Sequence, residues 1–317
     1  MRLNRLDLNQ MICLDALLAE RNVSRAAKRV FISQPAMSLA LRRLRAHFED
    51  ELLVPAGRTY RLTPFALDLQ APIRNVVLQL RGISGWRPKF DPARADRKIT
   101  IEASDYVCAV LMQRVLERVY AEAPKLQFDL RILSAHFHEN LDSSEVDILV
   151  IPEPLCSDRH PLAQLFTDTF SCVVWRGNRR VGRQLTLEQY LEMGHVVPDW
   201  DSGRMPALDQ QIMARAGLRR RHEITAPSFS IAAQSVVGTH RVATVQTRLA
   251  RQIATRWPVK VLPCPVELPV LVEAVQWHRH QESDPAIMWF LKKIQAVGSE
   301  LEASGGVGNV RRLRDAK

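Results

Sequence analysis

Residues 22–48 read NVSRAAKRVFISQPAMSLALRRLRAHF, and this stretch decides the first fold assignment. Ser24 is placed to cap a short helix over Arg25, Ala26, Ala27 and Lys28, and the two alanines permit a close helix crossing. Phe31 and Ile32 fill the turn that follows. Ser33 then caps a third helix, with Pro35 in its first turn, where a missing N–H does no harm. Met37, Leu41, Leu44 and Phe48 repeat at helical spacing and form its packing face. Gln34, Ser38, Arg42 and Arg45 repeat on the opposite face. These residue types hydrogen-bond to base edges or neutralise phosphates in a major groove. On an isolated helix, Arg42, Arg43 and Arg45 would read as a solvated face. Two helices before it at this spacing turn the reading to a helix-turn-helix.

On the N-terminal side, Met11, Leu14, Leu17 and Leu18 give a first helix over residues 9–20. On the C-terminal side, residues 52–64 read LLVPAGRTYRLTP. Val54 to Arg61 reads as a two-stranded wing with Gly57 at its tip, from which Arg58 and Arg61 can reach the phosphate backbone or the adjacent minor groove. Thr63 caps a long helix that starts at Pro64, is interrupted by Pro72, and carries Phe65, Leu69, Ile73, Val76 and Leu80 as an apolar stripe. A second copy of the helix is the simplest cover for that stripe.

The whole chain is basic, with a formal charge of +10 over 317 residues. Residues 1–89 hold 15 Lys/Arg against 7 Asp/Glu, so most of the surplus lies at the helix-turn-helix end. Such a bias suits a polyanion, either nucleic acid or an anionic membrane. No apolar run is long enough to span a bilayer, and Asp7, Asp15 and Glu20 do not suit a secretory signal. The five cysteines, Cys13, Cys108, Cys156, Cys172 and Cys264, are odd in number and lack CxxC spacing, as expected of reduced thiols in the cytoplasm.

Residues 6–64 resemble the winged helix-turn-helix of LysR-type transcriptional regulators, with SQPAMS (33–38) and RLR (43–45) as the specific signals. LDLN at 6–9, LTPFA at 62–66, Pro72, ASDYV at 103–107 and QWH at 276–278 resemble the branch that contains NodD and NahR. The resemblance implies DNA contacts from Gln34, Pro35, Ser38 and Arg42. To these the residue types add Ser33, Leu39, Arg43, Arg45, Arg58 and Arg61. Leu39 stands where the wider family commonly has arginine, and Pro55 replaces a common wing arginine. Both put the base preference in doubt.

Residues 85–96 are rich in Gly, Pro and charge and read as a hinge between domains. Beyond them, strands at Ile99–Ala103, Phe128–Leu133, Asp147–Ile151, Phe170–Trp175, His195–Val197, Arg219–Ile224, Val242–Val245 and Val270–Trp277 alternate with helices. This is an α/β pattern with mostly parallel sheets. The helices fall at Tyr106–Ala121, from Thr186 to Met193 with a Thr186/Gln189 capping box, and near 207–216, 228–237, 247–256 and 285–297.

The resemblance specifies a two-lobed periplasmic-binding-protein-like sensor. Its expected organisation is a DNA-binding domain at 1–63, a linker and dimerisation helix at 64–84, and the hinge at 85–96. Lobe I takes 97–169 and 266–300, lobe II takes 170–265, and 301–317 is expected to be a disordered tail. Ligands in open α/β folds bind beyond strand carboxyl ends. This brings Ser104, Asp105 and Tyr106 together with Ser134 and His136, Asp201, Ser202 and Arg204, and Phe229. Asp105 either caps the helix that begins at Tyr106 or meets ligand, Phe229 is either core or lining, and Arg204 either lines the cleft or lies on the surface. Hydroxyls, an arginine and rings suit a small aromatic or carboxylate-bearing effector. Members of the branch respond to flavonoids, salicylate-like acids and other aromatics.

The chain carries no GxSxG, P-loop or HExxH, so neither catalysis nor a cofactor is expected. His136 and His138 read as one face of a strand and His278 and His280 as surface residues, and neither pair implies a metal site. Asp199 and Asp201 flank a Trp in a loop with nothing to mark them as catalytic. The expected partners are double-stranded promoter DNA, a small effector and further copies of the chain, as a dimer through 64–84 and a tetramer through the sensors. RNA polymerase is a further expected contact, and no membrane is involved. Two other readings remain, a redox sensor of the same fold using Cys156 and Cys172, and a solute-binding module without a DNA role.

Overall fold

The computed structural model describes residues 7–56, 59–84, 90–199, 208–215 and 217–305. Two compact units separate. The first holds the N-terminal 89 residues with Glu139–Glu145 and His280–Asp284. The second holds Phe90–His138, Val146–Arg279 and the chain from Pro285.

In the first unit, α1 (Leu8–Glu20) is capped by Asp7, whose Oδ1 accepts from Gln10 N–H at 2.7 Å. Helix α2 (Val23–Arg29) begins two residues earlier than its sequence suggests. Asn22, not Ser24, is the cap, because its Oδ1 accepts from Arg25 N–H at 3.0 Å. Ser33 caps α3 (Gln34–Phe48) through Ala36 N–H. Met37, Leu41 and Leu44 are buried with Leu14, Leu17, Leu18, Ala26 and Ala27, and Phe48 packs against the same cluster. Phe31 and Ile32 do not fill the turn between α2 and α3. Phe31 is 95% exposed, with a left-handed φ of 58°.

Strands β1 (Leu53–Ala56) and β2 (Thr59–Leu62) pair antiparallel as the wing. Thr63 Oγ1 accepts from Ala66 N–H and donates to Asp50 Oδ1 at 2.6 Å, fixing the start of α4 (Pro64–Ser84), which runs on through Pro72. Part of the α4 stripe is consumed within the unit, since Ile73 joins the helix-turn-helix core and Leu69 packs against it, beside Ala66 and Val77, which lie off the expected stripe. Arg74 pairs with Asp15 of α1 at 2.9 Å. Phe65 and Leu67 stay exposed.

The second unit is built on two five-stranded sheets. One has the order β4-β3-β5-β12-β6, from β3 (Lys98–Ala103), β4 (Gln127–Ile132), β5 (Ile148–Pro152), β6 (Leu162–Asp168) and β12 (Leu271–Trp277). The other has the order β11-β7-β10-β8-β9, from β7 (Phe170–Trp175), β8 (Gly194–Pro198), β9 (Arg221–Ala226), β10 (Val242–Gln246) and β11 (Val259–Pro263). We call their surroundings lobe I and lobe II. The chain passes between them at 168–170 and again at 263–271.

The sheets are mixed rather than mostly parallel. Strand β12 runs antiparallel to both β5 and β6, and β7 antiparallel to both β10 and β11. These reversals follow from the two crossings, each of which sends a strand into the other lobe against the direction of its neighbours. Strands β6 and β11 go unread in the sequence.

Helix α5 (Asp105–Val107) continues through a π-helical turn at Cys108–Met112 into α6 (Gln113–Glu122). Val107, Leu111, Val115 and Val119 are buried as their spacing predicts. Residues 137–142 form helix α7 (Phe137–Asp142), so the His136–Glu139 run is a turn entering a helix and not a strand face. The remaining helices are α8 (Leu187–Glu192), α9 (Leu208–Arg215), α10 (Phe229–Gln234), α11 (Thr247–Arg256) and α12 (Pro285–Ser304). The Thr186/Gln189 capping box opens α8, and α12 extends seven residues beyond its expected end, so residues 301–304, expected in a disordered tail, are helical and Leu301 is buried. No helix among the described residues is long and apolar enough to cross a membrane.

Candidate nucleic-acid interface and ligand cleft

The outward face of α3 carries Gln34, Pro35, Ser38, Leu39, Arg42 and Arg43, all exposed. Among the described residues, the side chains of Gln34, Ser38, Arg42 and Arg43 make no hydrogen bond or ion pair, and neither does Arg61 on β2. That leaves their donors available to an incoming partner. Ser33 Oγ already accepts from Ala36 N–H, and Arg58 lies outside the described residues.

Arg45 is placed differently from its stripe. Its Nε donates to Glu51 O at 2.8 Å and its Nη2 to Leu53 O at 2.7 Å, with the Glu51 carboxylate 3.2 Å from Nε. Its guanidinium therefore braces the entry to the wing. Sequence spacing puts Arg45 on the polar face, and only the return of residues 51–53 reveals its partner. Arg25 and Arg29 likewise turn back onto Glu20, joining α1 to α2.

In the second unit, the strand β3–α5 junction and the head of α10 meet directly. Ser104 Oγ caps α5 by accepting from Val107 N–H. The Asp105 side chain does not cap its own helix. Its Oδ1 accepts from Phe229 N–H at 3.0 Å and its Oδ2 from Ser230 N–H at 2.8 Å. Ser228 Oγ takes the next amide, Ile231 N–H. Two of the four expected cleft segments are thus joined by a carboxylate clamp across the lobes.

Ser134 Oγ accepts from His136 N–H, and Ser134 N–H donates to the buried carboxylate of Glu102 at 2.6 Å. His136 is exposed. In the third segment, Asp199 N–H donates to Ala226 O at 2.8 Å, while Asp201, Ser202 and Arg204 lie outside the described residues. Tyr106 and Phe229 both belong to the core.

Sequence reading missed the polar cluster at the first lobe crossing. Tyr106 Oη donates to Asp168 Oδ2 at 2.8 Å, and Thr169 and Arg248 N–H groups donate to the same carboxylate. Thr247 Oγ1 sits 2.8 Å from both Thr169 Oγ1 and Ser171 Oγ. Burial raises the Asp168 carboxyl above its ordinary range, against the hydrogen bonds from Tyr106, Thr169 and Arg248. Glu273, fully buried on β12, is pushed up to about 8 by desolvation and then by the Asp168 charge. Its Oε2 has no hydrogen-bond partner.

His278 is buried rather than exposed, with its ring centroid 4.6 Å from that of His160. Among the described residues no group of His, Cys, Asp and Glu could hold a metal ion. The thiol beside Cys172 is Cys264, and burial raises the Cys172 thiol far above its ordinary value. Cys156 is pushed up to about 12 by burial and by Glu273 and Glu153. Neither thiol of the Cys156/Cys172 pair is therefore poised as a thiolate. On the outer side of lobe II, a cavity of about 530 Å³ is lined by Arg180, Glu192, Arg221, Glu223, His240 and Arg241, among others. Glu223 already pairs with both Arg221 and Arg241 there.

Two family models match the chain. "Bacterial regulatory helix-turn-helix protein, lysR family" covers residues 8–67, and "LysR substrate binding domain" covers residues 93–299. Nodulation protein D 2 of Rhizobium tropici is 40% identical over 290 residues, 91% of this chain and 92% of that protein. Nodulation protein D 1 of a Bradyrhizobium species (strain NC92) is 38% identical over 312 residues, 98% of this chain and 99% of its own length. Among solved structures, a probable transcriptional regulator from Pseudomonas aeruginosa aligns with a TM-score of 0.66 at 28% identity, over 93% of this chain and 98% of that one. Full-length OxyR from the same organism aligns at 0.75 and 17% identity, over 92% and 95%, a likeness of fold alone.

Proposed function

The chain belongs to the LysR family of DNA-binding transcriptional regulators controlled by small effectors, and we propose that its effector is a small aromatic or carboxylate-bearing molecule bound between the two lobes. The observation that carries this reading is the clamp between Asp105 and the head of α10. Through Asp105 and the Phe229 and Ser230 amides it joins the chain that follows β3 to the chain that follows β9, with Ser104 and Ser228 as sequence neighbours of the clamp. Ser134 and His136 belong to the segment that follows β4, and Asp201, Ser202 and Arg204 to the segment that follows β8. Tyr106 and Phe229 support the clamp from the core. A fold of this kind binds ligand at strand carboxyl ends.

On the DNA side, Gln34, Ser38 and Arg42 would read the major groove while Arg43, Arg58 and Arg61 neutralise phosphates. A dimer would pair through α4, where Phe65 and Leu67 remain exposed. Sensor pairing would build a tetramer through the edge strand β4 and α6, which expose Leu130, Ile132 and Tyr120. Ligand entry changes the lobe arrangement and with it the spacing of the DNA contacts. The protein would act in the cytoplasm, with RNA polymerase as its downstream contact.

Footprinting of the DNA upstream of the chain's own gene, with and without a panel of aromatic compounds, tests both halves. A protected pair of half-sites whose extent changes with one compound supports the reading. Protection that survives deletion of residues 1–90 overturns it.

A further inference from the structure

Asp105 occupies an unusual position for a residue at the start of a helix. An acidic residue there ordinarily offers its charge to its own helix N-terminus. Here Ser104 Oγ already satisfies Val107 N–H, and the Asp105 carboxylate reaches 124 and 125 residues along the sequence. It takes consecutive backbone amides, one per oxygen, at 3.0 and 2.8 Å. Charge-assisted hydrogen bonds of this kind are the stronger class, and two from one rigid backbone fix orientation as well as distance. The backbone they hold is itself anchored, because Phe229 is buried beneath it and Ser228 caps the following amide.

We propose that Asp105 is a latch that sets the ligand-free arrangement of the two lobes. This rests on the reading of the cleft as the effector site, and it adds the residue through which that site is regulated. Asp105 belongs to lobe I by sequence and to the α10 helix by its hydrogen bonds, so the two lobes cannot separate at this edge without breaking both. A ligand that enters beside Ser104 must donate to this carboxylate or displace it, and either event changes the restraint on α10. The lobe arrangement is then a two-state element biased by one side chain. Asp105 is a positioning residue, acting on DNA through α10 and the lobe arrangement.

The test uses the full-length protein without ligand, as Asp105→Asn and Asp105→Ala, with Gly298→Val as a control that perturbs lobe I packing elsewhere. Hydrogen exchange at the Phe229 and Ser230 amides is the first readout. It should accelerate at least about tenfold in Asp105→Ala, with Asp105→Asn between that and wild type because one acceptor oxygen remains. DNase footprinting is the second. The ligand-free footprint of Asp105→Ala should change in extent while that of Gly298→Val stays as wild type. Unchanged exchange in both Asp105 variants overturns the latch itself. Accelerated exchange with an unchanged footprint leaves the clamp in place but overturns its regulatory role. Loss of the effector reading alone would show differently, as a footprint that changes in Asp105→Ala but with no aromatic compound in wild type. Should Asp105→Ala fail to fold, Asp105→Asn carries both readouts.

Discussion

Arg45 and Arg42 lie one helical turn apart on α3, and the structure gives them opposite work. Arg45 makes two hydrogen bonds to main-chain carbonyls of Glu51 and Leu53. A hydrogen bond from a charged donor contributes roughly 1.5–3 kcal/mol. Arg45 is only partly buried, so water can restore the freed carbonyls and the two bonds do not simply add. Arg45→Ala should therefore destabilise the DNA-binding unit by about 1.5–3 kcal/mol; the exposed ion pair with Glu51 adds little. Arg42→Ala, with no partner among the described residues, should leave stability within about 0.5 kcal/mol.

DNA binding should separate the two residues in the other direction. Losing one phosphate contact lowers the slope of log affinity against log salt by about 0.9. Arg42→Ala should lose affinity with a reduced slope if it meets phosphate, or lose sequence preference at one position if it forks onto a guanine. Arg45→Ala should keep the slope and weaken binding through the displaced wing. Urea denaturation and fluorescence anisotropy across a salt series measure both. An Arg45→Ala protein of wild-type stability with a lowered salt slope would refute the brace and return Arg45 to the DNA.

Phe31 holds a left-handed φ of 58° while almost wholly exposed, so Phe31→Asn should stabilise the unit by about 0.5–1 kcal/mol in thermal unfolding. Gly298 of α12 lies against β6, where an added Cβ would come within 3.0 Å of Leu165 O. Gly298→Val should cost about 1–3 kcal/mol by overpacking, read in the same assay. Two buried groups give the second unit opposing pH responses. Glu273, raised to about 8, contributes stability that is lost as pH rises toward 8, and His195, lowered to about 4 by burial, contributes stability that is lost as pH falls below its ordinary 6.5. Their slopes oppose one another between about 4.5 and 6.5, so the Glu273 effect stands alone from about 6.5 to 8. Denaturation midpoints should fall across that window in wild type, and in Glu273→Gln the fall should disappear.

The helix-turn-helix was legible because its signals are local. A cap, a proline and an apolar face at 3.6-residue spacing all fall within residues 33–48, and Met37, Leu41 and Leu44 are buried accordingly. The errors came where local signals compete. Asn22 and Ser24 are both good caps, and the hydrogen bond to Arg25 N–H decides for Asn22. Phe31 is apolar but exposed, at the left-handed position of the turn. Strand β6 hides behind an alternation blurred by a bulge, where its register against β12 shifts. Strand β11 is only five residues between prolines. In the cleft, residue types were legible and partners were not. The bonds of Arg45 to Leu53 and of Asp105 to Ser230 depend on where the chain returns, which periodicity does not encode.

The three residues Ser104, Asp105 and Tyr106 give the sensor its joint. They leave β3 within one helical turn, where successive side chains point in different directions. Ser104 turns back to its own helix, Asp105 reaches the head of α10, and Tyr106 passes inward to Asp168 at the crossing between lobes. One turn of chain thus holds lobe II directly at the cleft edge, through Asp105, and indirectly at the crossover, through Tyr106 and Asp168. Asp168 in turn accepts from Arg248 at the start of α11, so the same turn fixes two lobe II helices. A displacement of Asp105 by ligand would pivot α10 about a crossover still held by Tyr106, producing rotation of the lobes rather than separation. On that geometry, Tyr106→Phe should loosen the crossover without freeing the Phe229 and Ser230 amides, and Asp105→Ala should do the reverse. Amide exchange at Thr169 and Arg248 against Phe229 and Ser230 distinguishes them, and parallel changes at all four sites in either variant would refute two independent attachments.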